Sequence, residues 1–255
     1  MDKLNLSNKY KVLILAAGVG KRLKEKGKNS PKSLLKIDKK TIIGNLLDIL
    51  KKRKFSDITI AVGYKKKKIQ KFIDSKNYKI KFLEIKDFAT NGSSFSWYSF
   101  RKKWQKDPKP LIILHADIFF DENLFVNIIK SKHKNIIGSV YTKNKIFKKK
   151  WIVYTNSKEK ITEIKLKKVP KNTLSNEISC INKFSTNVSG KIFTYMRDYF
   201  IRYNSHLTWE IVLNDFINQK KAKIYSLKKQ KFFWFNINKI SDLREANSFY
   251  KKNFY

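Results

Sequence analysis

The residues best equipped for chemistry lie in the run Val12-Leu13-Ile14-Leu15-Ala16-Ala17-Gly18-Val19-Gly20-Lys21-Arg22-Leu23, followed by Pro31-Lys32-Ser33-Leu34-Leu35. Val12 to Ala16 is a short, continuous apolar run, which reads as a central parallel strand covered on both faces. It turns abruptly into small residues. Ala16, Ala17, Gly18 and Gly20 bring almost no side chain, so the backbone N–H groups between Leu15 and Lys21 can approach phosphate oxygens closely, and glycine admits positive φ. Arg22 and Lys32 add fixed positive charge, one as a planar fork and the other as a point charge. Two other phosphate loops fail on residue type: a Walker A loop needs Gly-Lys-Ser/Thr after four spacers, and the dinucleotide fingerprint needs a small residue where Leu23 stands. The remaining readings are a loop that grips the phosphates of a nucleotide and a plain strand-to-loop turn.

Three further segments carry polar residues where a ligand would meet them. The apolar run Pro110 to Leu114 ends in His115-Ala116-Asp117, and an acid at the carboxyl end of a buried strand is placed to hold a cation; Asp121 instead fits the cap of a following helix. The loop Asp87 to Ser94 contains Thr90-Asn91-Gly92-Ser93-Ser94, small residues of which Ser93 or Ser94 also suit a helix cap. A late apolar run ends in Trp234-Phe235-Asn236-Ile237-Asn238, where strand-end turn residues are the competing reading.

The elements that must position these segments follow from periodicity. Thr41 to Arg53 places apolar residues at helical spacing, Asp57 to Gly63 reads as a second strand, Ile69 to Asp74 as helix and Tyr78 to Ile85 as a third strand. A helix runs on to Trp104, and Pro110 to Leu114 is the fourth strand. Beyond Asn135 the reading is less regular. Ile136 to Tyr141, Trp151 to Tyr154, Lys160 to Leu166 and Glu177 to Phe184 read as strands, some antiparallel, with helices at Ile192 to Tyr203 and Leu207 to Gln219. Ala222 to Leu227 and Phe232 to Ile237 are late strands, and Ser241 caps a closing helix to Tyr250. The basic stretch Lys143 to Lys171 reads as a small binding subregion or a solvated hairpin. Alternating strands and helices predict an α/β fold, a Rossmann-like, mostly parallel sheet flanked by helices, with a small mixed β subregion. Ligands bind at the carboxyl ends of such strands, so the loops are expected to converge.

Composition bounds the partners. The chain of 255 residues suffices for one domain, and 42% hydrophobic residues argue for a packed core. No apolar run approaches the ~18 residues of a membrane span, and Met1 to Tyr10 lacks a secretory apolar region, so a cytoplasmic protein is expected. The lone Cys180 and three histidines exclude a disulfide framework and a Cys/His zinc site, and Cys180 reads as a small buried hydrophobe. The net charge of +38 raises the alternative of a basic nucleic-acid-binding module. The lysines are spread over every element without a recognition motif. That favours a solvated surface that concentrates anionic substrates, and no specific nucleic-acid partner is expected.

Together Leu-Ala-Ala-Gly-x-Gly-x-Arg-Leu and Pro-Lys-x-Leu-Leu resemble the nucleoside-triphosphate transferases, which join a nucleoside monophosphate to a sugar phosphate or other small phosphate, and among them most resemble the small cytidylyltransferases acting on phosphocholine and aminoethylphosphonate. The resemblance implies one nucleotidyltransferase domain over 1–255, with a nucleotide-binding half at 1–134 and an acceptor-binding half at 135–255. It implies transfer of CMP from CTP, or another nucleoside triphosphate, to a small phosphorylated acceptor with release of pyrophosphate, for cell-surface polysaccharide or lipid. A sugar 1-phosphate or a phosphorylated amino acid is the alternative acceptor, and a homodimer is compatible with the sequence. Both reactants are anions, so catalysis is mostly positioning and cancellation of charge. Arg22 and Lys32 are the expected catalytic cations. Leu15, Ala16, Ala17, Gly18, Gly20 and Lys21 would hold the nucleotide, with Thr90, Asn91, Gly92 and Ser93 reading the base and Gly92 permitting its close approach.

The resemblance also implies Mg2+, a hard ion that takes one or two carboxylates plus phosphates. Asp117 matches one metal position. The other lies in a Trp-x-Asp-x-Asp motif whose acids are here Asn236 and Asn238; Asn236 is the candidate ligand, and Glu210 would supply charge if charge is needed. Trp97, Trp151 and Trp209 are candidate walls for an alkylammonium acceptor, with Glu210 its counter-ion, although aromatics at such spacings also suit a core.

Overall fold

The computed structural model describes residues 8–23, 29–143, 148–203, 205–227 and 232–254. Its centre is an eight-stranded mixed sheet ordered β10-β9-β11-β6-β1-β4-β5, with β8 paired to β11. β1 (Lys11–Ala16), β4 (Ile58–Val62), β5 (Lys81–Glu84) and β6 (Leu111–His115) run parallel, with β1 between β4 and β6. β1, β4 and β6 are almost wholly buried aliphatics because helices cover both faces of a parallel sheet. A two-residue hairpin, β2 (Lys36–Ile37) and β3 (Lys40–Thr41), leads into α1 (Ile42–Lys52), where the Thr41 hydroxyl accepts from Gly44 N–H. α2 (Lys66–Asp74) links β4 to β5; α3 (Ser93–Ser99) and α4 (Arg101–Gln105) link β5 to β6. The short β7 (Ile118–Phe120) follows, and Asp121 caps α5 (Glu122–Lys130) as expected, accepting from Asn123 N–H at 2.8 Å.

The antiparallel part is built on β11 (Leu174–Phe184), which borders β6 and also pairs β8 (Ile136–Lys143). Between Ile178 and Asn182 its register shifts, and buried Cys180 sits there at φ +60°. Around this bulge β11 keeps β8 along one edge while its other edge passes from β9, at Glu177, to β6, from Ile181 on. β9 (Lys148–Thr155) and β10 (Ile161–Val169) form the basic hairpin. It is not simply solvated: Lys150 pairs with recessed Glu177 at 2.5 Å and Lys148 with Asp242 at 2.8 Å. α6 (Thr186–Tyr203) and α7 (Trp209–Asn218) pack behind this region, and β12 (Trp234–Asn236) with α8 (Ile240–Phe254) closes the chain.

Several expectations are corrected. α6 begins six residues before Ile192, at Thr186, because Ser185 serves as its start, accepting Val188 N–H on its hydroxyl and Ser189 N–H on its carbonyl. The strand expected at Ala222 to Leu227 is only a pair of bridges at Tyr225, which touches the ends of β8 and β10 and has no neighbour along which to extend a ladder. Ser241 lies inside α8 rather than capping it; the Asp242 carboxylate reaches back to the N–H groups of Asn238 and Lys239 at 2.9 and 2.8 Å. Ser93 and Ser94 do not cap α3, whose N-cap is Gly92. Among the described residues no helix is long and apolar enough to cross a membrane.

Candidate active site

The loop after β1 is fixed on both flanks. Leu15 C=O accepts from Ala116 N–H and Ala17 C=O from Tyr64 N–H, both at 3.0 Å, so β1, β4 and β6 hand their ends to one place. Gly18 is exposed with nothing near its missing side chain, and Gly20 takes φ +68°, which the loop could not adopt cheaply with another residue. Lys21 to Leu23 and Lys32 to Leu34 form single 3-10 turns; the side chain of Lys21 lies outside the described residues. Apolar residues in and just after these turns have a purpose. Leu23, Leu35 and Ile37 join Ile42, Phe119, Ile237, Leu243 and Ala246 in a small second core. Full burial of one such leucine contributes roughly 1.5–3 kcal/mol, enough to dock the loop against β12 and α8.

That docking brings the polar residues together. Lys32 Nζ lies 2.6 Å from Asp117 Oδ2 and donates to Asn238 Oδ1 at 2.8 Å. Arg22 donates to the same Asn238 oxygen at 2.7 Å, and Asn238 Nδ2 donates to Asn236 Oδ1 at 2.9 Å. Asp117 itself is anchored by Ile237 N–H donating to its carbonyl at 2.9 Å. Burial pushes the Asp117 carboxyl up, but Lys32 and His115 outweigh it and hold it below the usual carboxylate range. Burial also lowers His115, whose Nδ1 is 3.9 Å from Asp117. Asp117 Oδ1 has no hydrogen-bond partner, a buried lone pair suited to a hard cation. Asp117 and the Asn236 carbonyl are hard oxygen donors, so this set fits magnesium with few protein ligands. No cluster of three His, Cys, Asp or Glu that could hold a metal occurs among the described residues.

The second loop is fixed by the chain's own backbone. A Cβ on Gly92 would fall 2.1 Å from the Leu207 carbonyl, so the close approach that requires glycine is made by the chain's own backbone. Gly92 N–H donates to Ser205 C=O, Ser94 Oγ to Leu207 C=O, and Trp209 N–H to Ser93 Oγ. Asn91 accepts from Ser205, and Thr90 C=O meets His206. The loop is therefore sewn to the segment leading into α7.

α7 presents Trp209 and Glu210. Trp209 is fully buried, 6.2 Å from the Trp97 ring and 5.7 Å from His115, and Trp97 is 1% exposed. These two rings are core, which corrects their expected role as open walls; Trp151 on β9 is only half-buried. Glu210 is buried with Oε2 unpartnered, and burial, reinforced by the Asp117 charge, pushes its carboxyl up to about 7. His115 Nε2 and Trp209 Nε1 are likewise buried without partners. Such groups are rare in folded chains, and four on adjoining residues mark a place where a polar ligand would be bound. Sequence reasoning missed Asn238 as a site residue; its position in the Trp-x-Asn-x-Asn run was the available signal.

A parallel sheet with a small-residue loop, two converging cations and an acid at the end of β6 defines a nucleotide-binding transferase fold. The chain belongs to the nucleotidyl transferase family, whose model matches residues 11–253. It is 29% identical over 117 residues to choline-phosphate cytidylyltransferase of Streptococcus pneumoniae, covering 46% of this chain and 48% of that protein. It is 26% identical over 239 residues to a bifunctional sugar-1-phosphate nucleotidylyltransferase/acetyltransferase of Sulfurisphaera tokodaii, covering 93% of this chain and 54% of that one. The chain thus spans about half the length of these curated relatives. The solved CTP:phosphocholine cytidylyltransferase from Streptococcus pneumoniae shares the fold with a TM-score of 0.77 at 20% identity, over 94% of this chain and 99% of its own.

Proposed function

We propose that the chain is a magnesium-dependent cytidylyltransferase that joins CMP from CTP to a small amine-bearing phosphate or phosphonate, phosphocholine-like, and releases pyrophosphate. In this reading an acceptor phosphate oxygen forms a bond to the α-phosphorus while the bond from that phosphorus to the α–β bridging oxygen breaks, and the bridging oxygen leaves with pyrophosphate. The nucleophile is already ionised, which needs no general base. Lys32 and Arg22 lie against the triphosphate and offset the charge that develops there. The backbone from Leu15 to Gly20 cradles the phosphates, with Thr90 to Ser93 near the base. Magnesium, held by Asp117 and the Asn236 carbonyl, would supply further charge neutralisation when bound.

The observation that carries the amine is the buried Glu210 carboxyl next to Trp209 in sequence, one oxygen of which has no hydrogen-bond partner among the described residues; an ammonium brought beside it would favour its ionised form and serve as its counter-ion. Half-buried Trp151 is the ring proposed to face an alkylammonium. The named activities of the choline-phosphate relative and of a CTP:phosphoglutamine cytidylyltransferase of Campylobacter jejuni, 27% identical over 124 residues, agree with CTP. A sugar 1-phosphate acceptor is the second reading, favoured by the match along 93% of the chain to the Sulfurisphaera protein. Pyrophosphate release, screened over four nucleoside triphosphates and an acceptor panel, decides between them. Turnover with CTP and phosphocholine or aminoethylphosphonate supports the proposal; turnover only with a sugar 1-phosphate replaces it. A cytoplasmic enzyme, compatible with a homodimer and serving surface polysaccharide, completes this reading.

A further inference from the structure

The side-chain amide of Asn238 is satisfied at both ends. Its oxygen accepts from Arg22 at 2.7 Å and from Lys32 at 2.8 Å, and its nitrogen donates to Asn236 at 2.9 Å. The partners settle which end is oxygen, since two cationic donors demand an acceptor and a carbonyl demands a donor. Its backbone is held as well, through N–H donation to Asp242 at 2.9 Å. The other Asp242 oxygen is taken by Lys148 at 2.8 Å, so that carboxylate is committed to Lys148 and to the start of α8.

We infer that Asn238 is a positioning residue, an uncharged acceptor that aims both loop cations at the triphosphate while leaving their charge available to it. The inference rests on the proposed role of Arg22 and Lys32 in phosphate binding, and on neither the identity of the nucleotide nor that of the acceptor. A hydrogen bond to a neutral carbonyl is roughly half as strong as one to an ionised oxygen. Incoming phosphate oxygens therefore displace the amide readily, and until they arrive the amide keeps two long, rotamer-rich side chains pointed the same way. That ordering lowers the entropy lost on binding. A carboxylate in the same place would make the same geometry with the opposite effect, because the cations would first have to leave a charged partner. Lys32 already shares its ammonium with Asp117. A second acid at 238 would leave both cations largely neutralised within the protein.

Titration calorimetry of the full chain with inorganic pyrophosphate in chelator tests this, since pyrophosphate is common to every reaction of the proposed class. Asn238→Asp is expected to weaken binding by about 10- to 100-fold, the range expected when a carboxylate competes with the anion for the same two cations. Asn238→Ala adds no charge and should weaken it only a few-fold, while lowering kcat by about 10-fold through loss of aim; Asn238→Ser, a short neutral acceptor, should recover part of that kcat. All three are expected to melt close to the wild type. Equal pyrophosphate affinity in wild type and Asn238→Asp overturns the inference, as does a parallel loss in Asp and Ala variants that tracks their melting temperatures. Tighter Mn2+ binding by Asn238→Asp, read by electron spin resonance without nucleotide and with pyrophosphate affinity unchanged, would make position 238 a metal position instead and also overturn it. A wild type that binds no pyrophosphate sinks the phosphate-binding role of the loop, and this inference with it.

Discussion

The ammonium of Lys32 stands 2.6 Å from the carboxylate of Asp117, across 85 residues of sequence. The pair joins the loop after β1 to the end of β6, the two strand ends also linked by backbone hydrogen bonding. It accounts for the depressed Asp117 carboxyl, and it places the proposed phosphate cation next to the proposed metal ligand.

Lys32→Ala or Arg22→Ala should lower turnover by ~10²-fold or more, because each removes charge aimed at the leaving pyrophosphate. Steady-state kinetics on the folded variants give the answer. Unchanged kinetics in Lys32→Ala would take the cation role away from this loop.

Asp117→Asn keeps the shape of the side chain and deletes its charge, so magnesium-dependent turnover should be abolished while the circular dichroism spectrum is retained. Full activity would place the ion elsewhere. The variant also leaves the Lys32 ammonium without its carboxylate, and thermal melting measures that separate cost.

The tryptophans should separate by burial. Trp209→Leu removes a fully enclosed ring and is expected to cost roughly 2 to 4 kcal/mol in urea unfolding. Trp151→Leu should leave stability nearly intact and raise KM for a cationic acceptor by about 3- to 30-fold, with the CTP constant little changed. A Trp151→Leu enzyme with unaltered acceptor KM removes the aromatic support for an amine.

Glu210 makes stability pH-dependent in a defined direction. Below its ordinary value of 4.5 the carboxyl is protonated in folded and unfolded chains alike, and burial costs little. From 4.5 up to about 7 the unfolded chain ionises while the folded one keeps its proton, so this residue's contribution falls as pH rises and levels off above about 7. The size is about 3 kcal/mol. In chelator, Glu210→Gln should match wild type near pH 4 and be the more stable by pH 8. An identical pH profile for both proteins would show that the carboxyl ionises freely where it sits.

What the sequence made legible was local. Val12 to Ala16 announced a buried strand because every residue in it is small or aliphatic, and Asp117 announced itself by closing another such run. Periodicity also found α1 and α7 to within two residues, since their apolar faces repeat. The failures have a different origin. Asn238 binds partners 216 and 206 residues away, and Gly92 is required by a carbonyl 115 positions further on; no spacing rule reaches so far. Tyr225 misled because a strand-like composition had only two strand ends to bridge. Trp209 could be core or wall on composition alone, and packing against Trp97 decided it.

The contact of Gly92 with Leu207 has a practical consequence for anyone recombining this scaffold with its relatives. The loop ahead of α3 and the turn ahead of α7 are cut to each other's shape, with no room for even a methyl group between them. A crossover placed anywhere between these two segments would mate a loop from one parent with a turn from another. Chimeras should therefore survive when both segments come from the same parent, and fail most often when they do not.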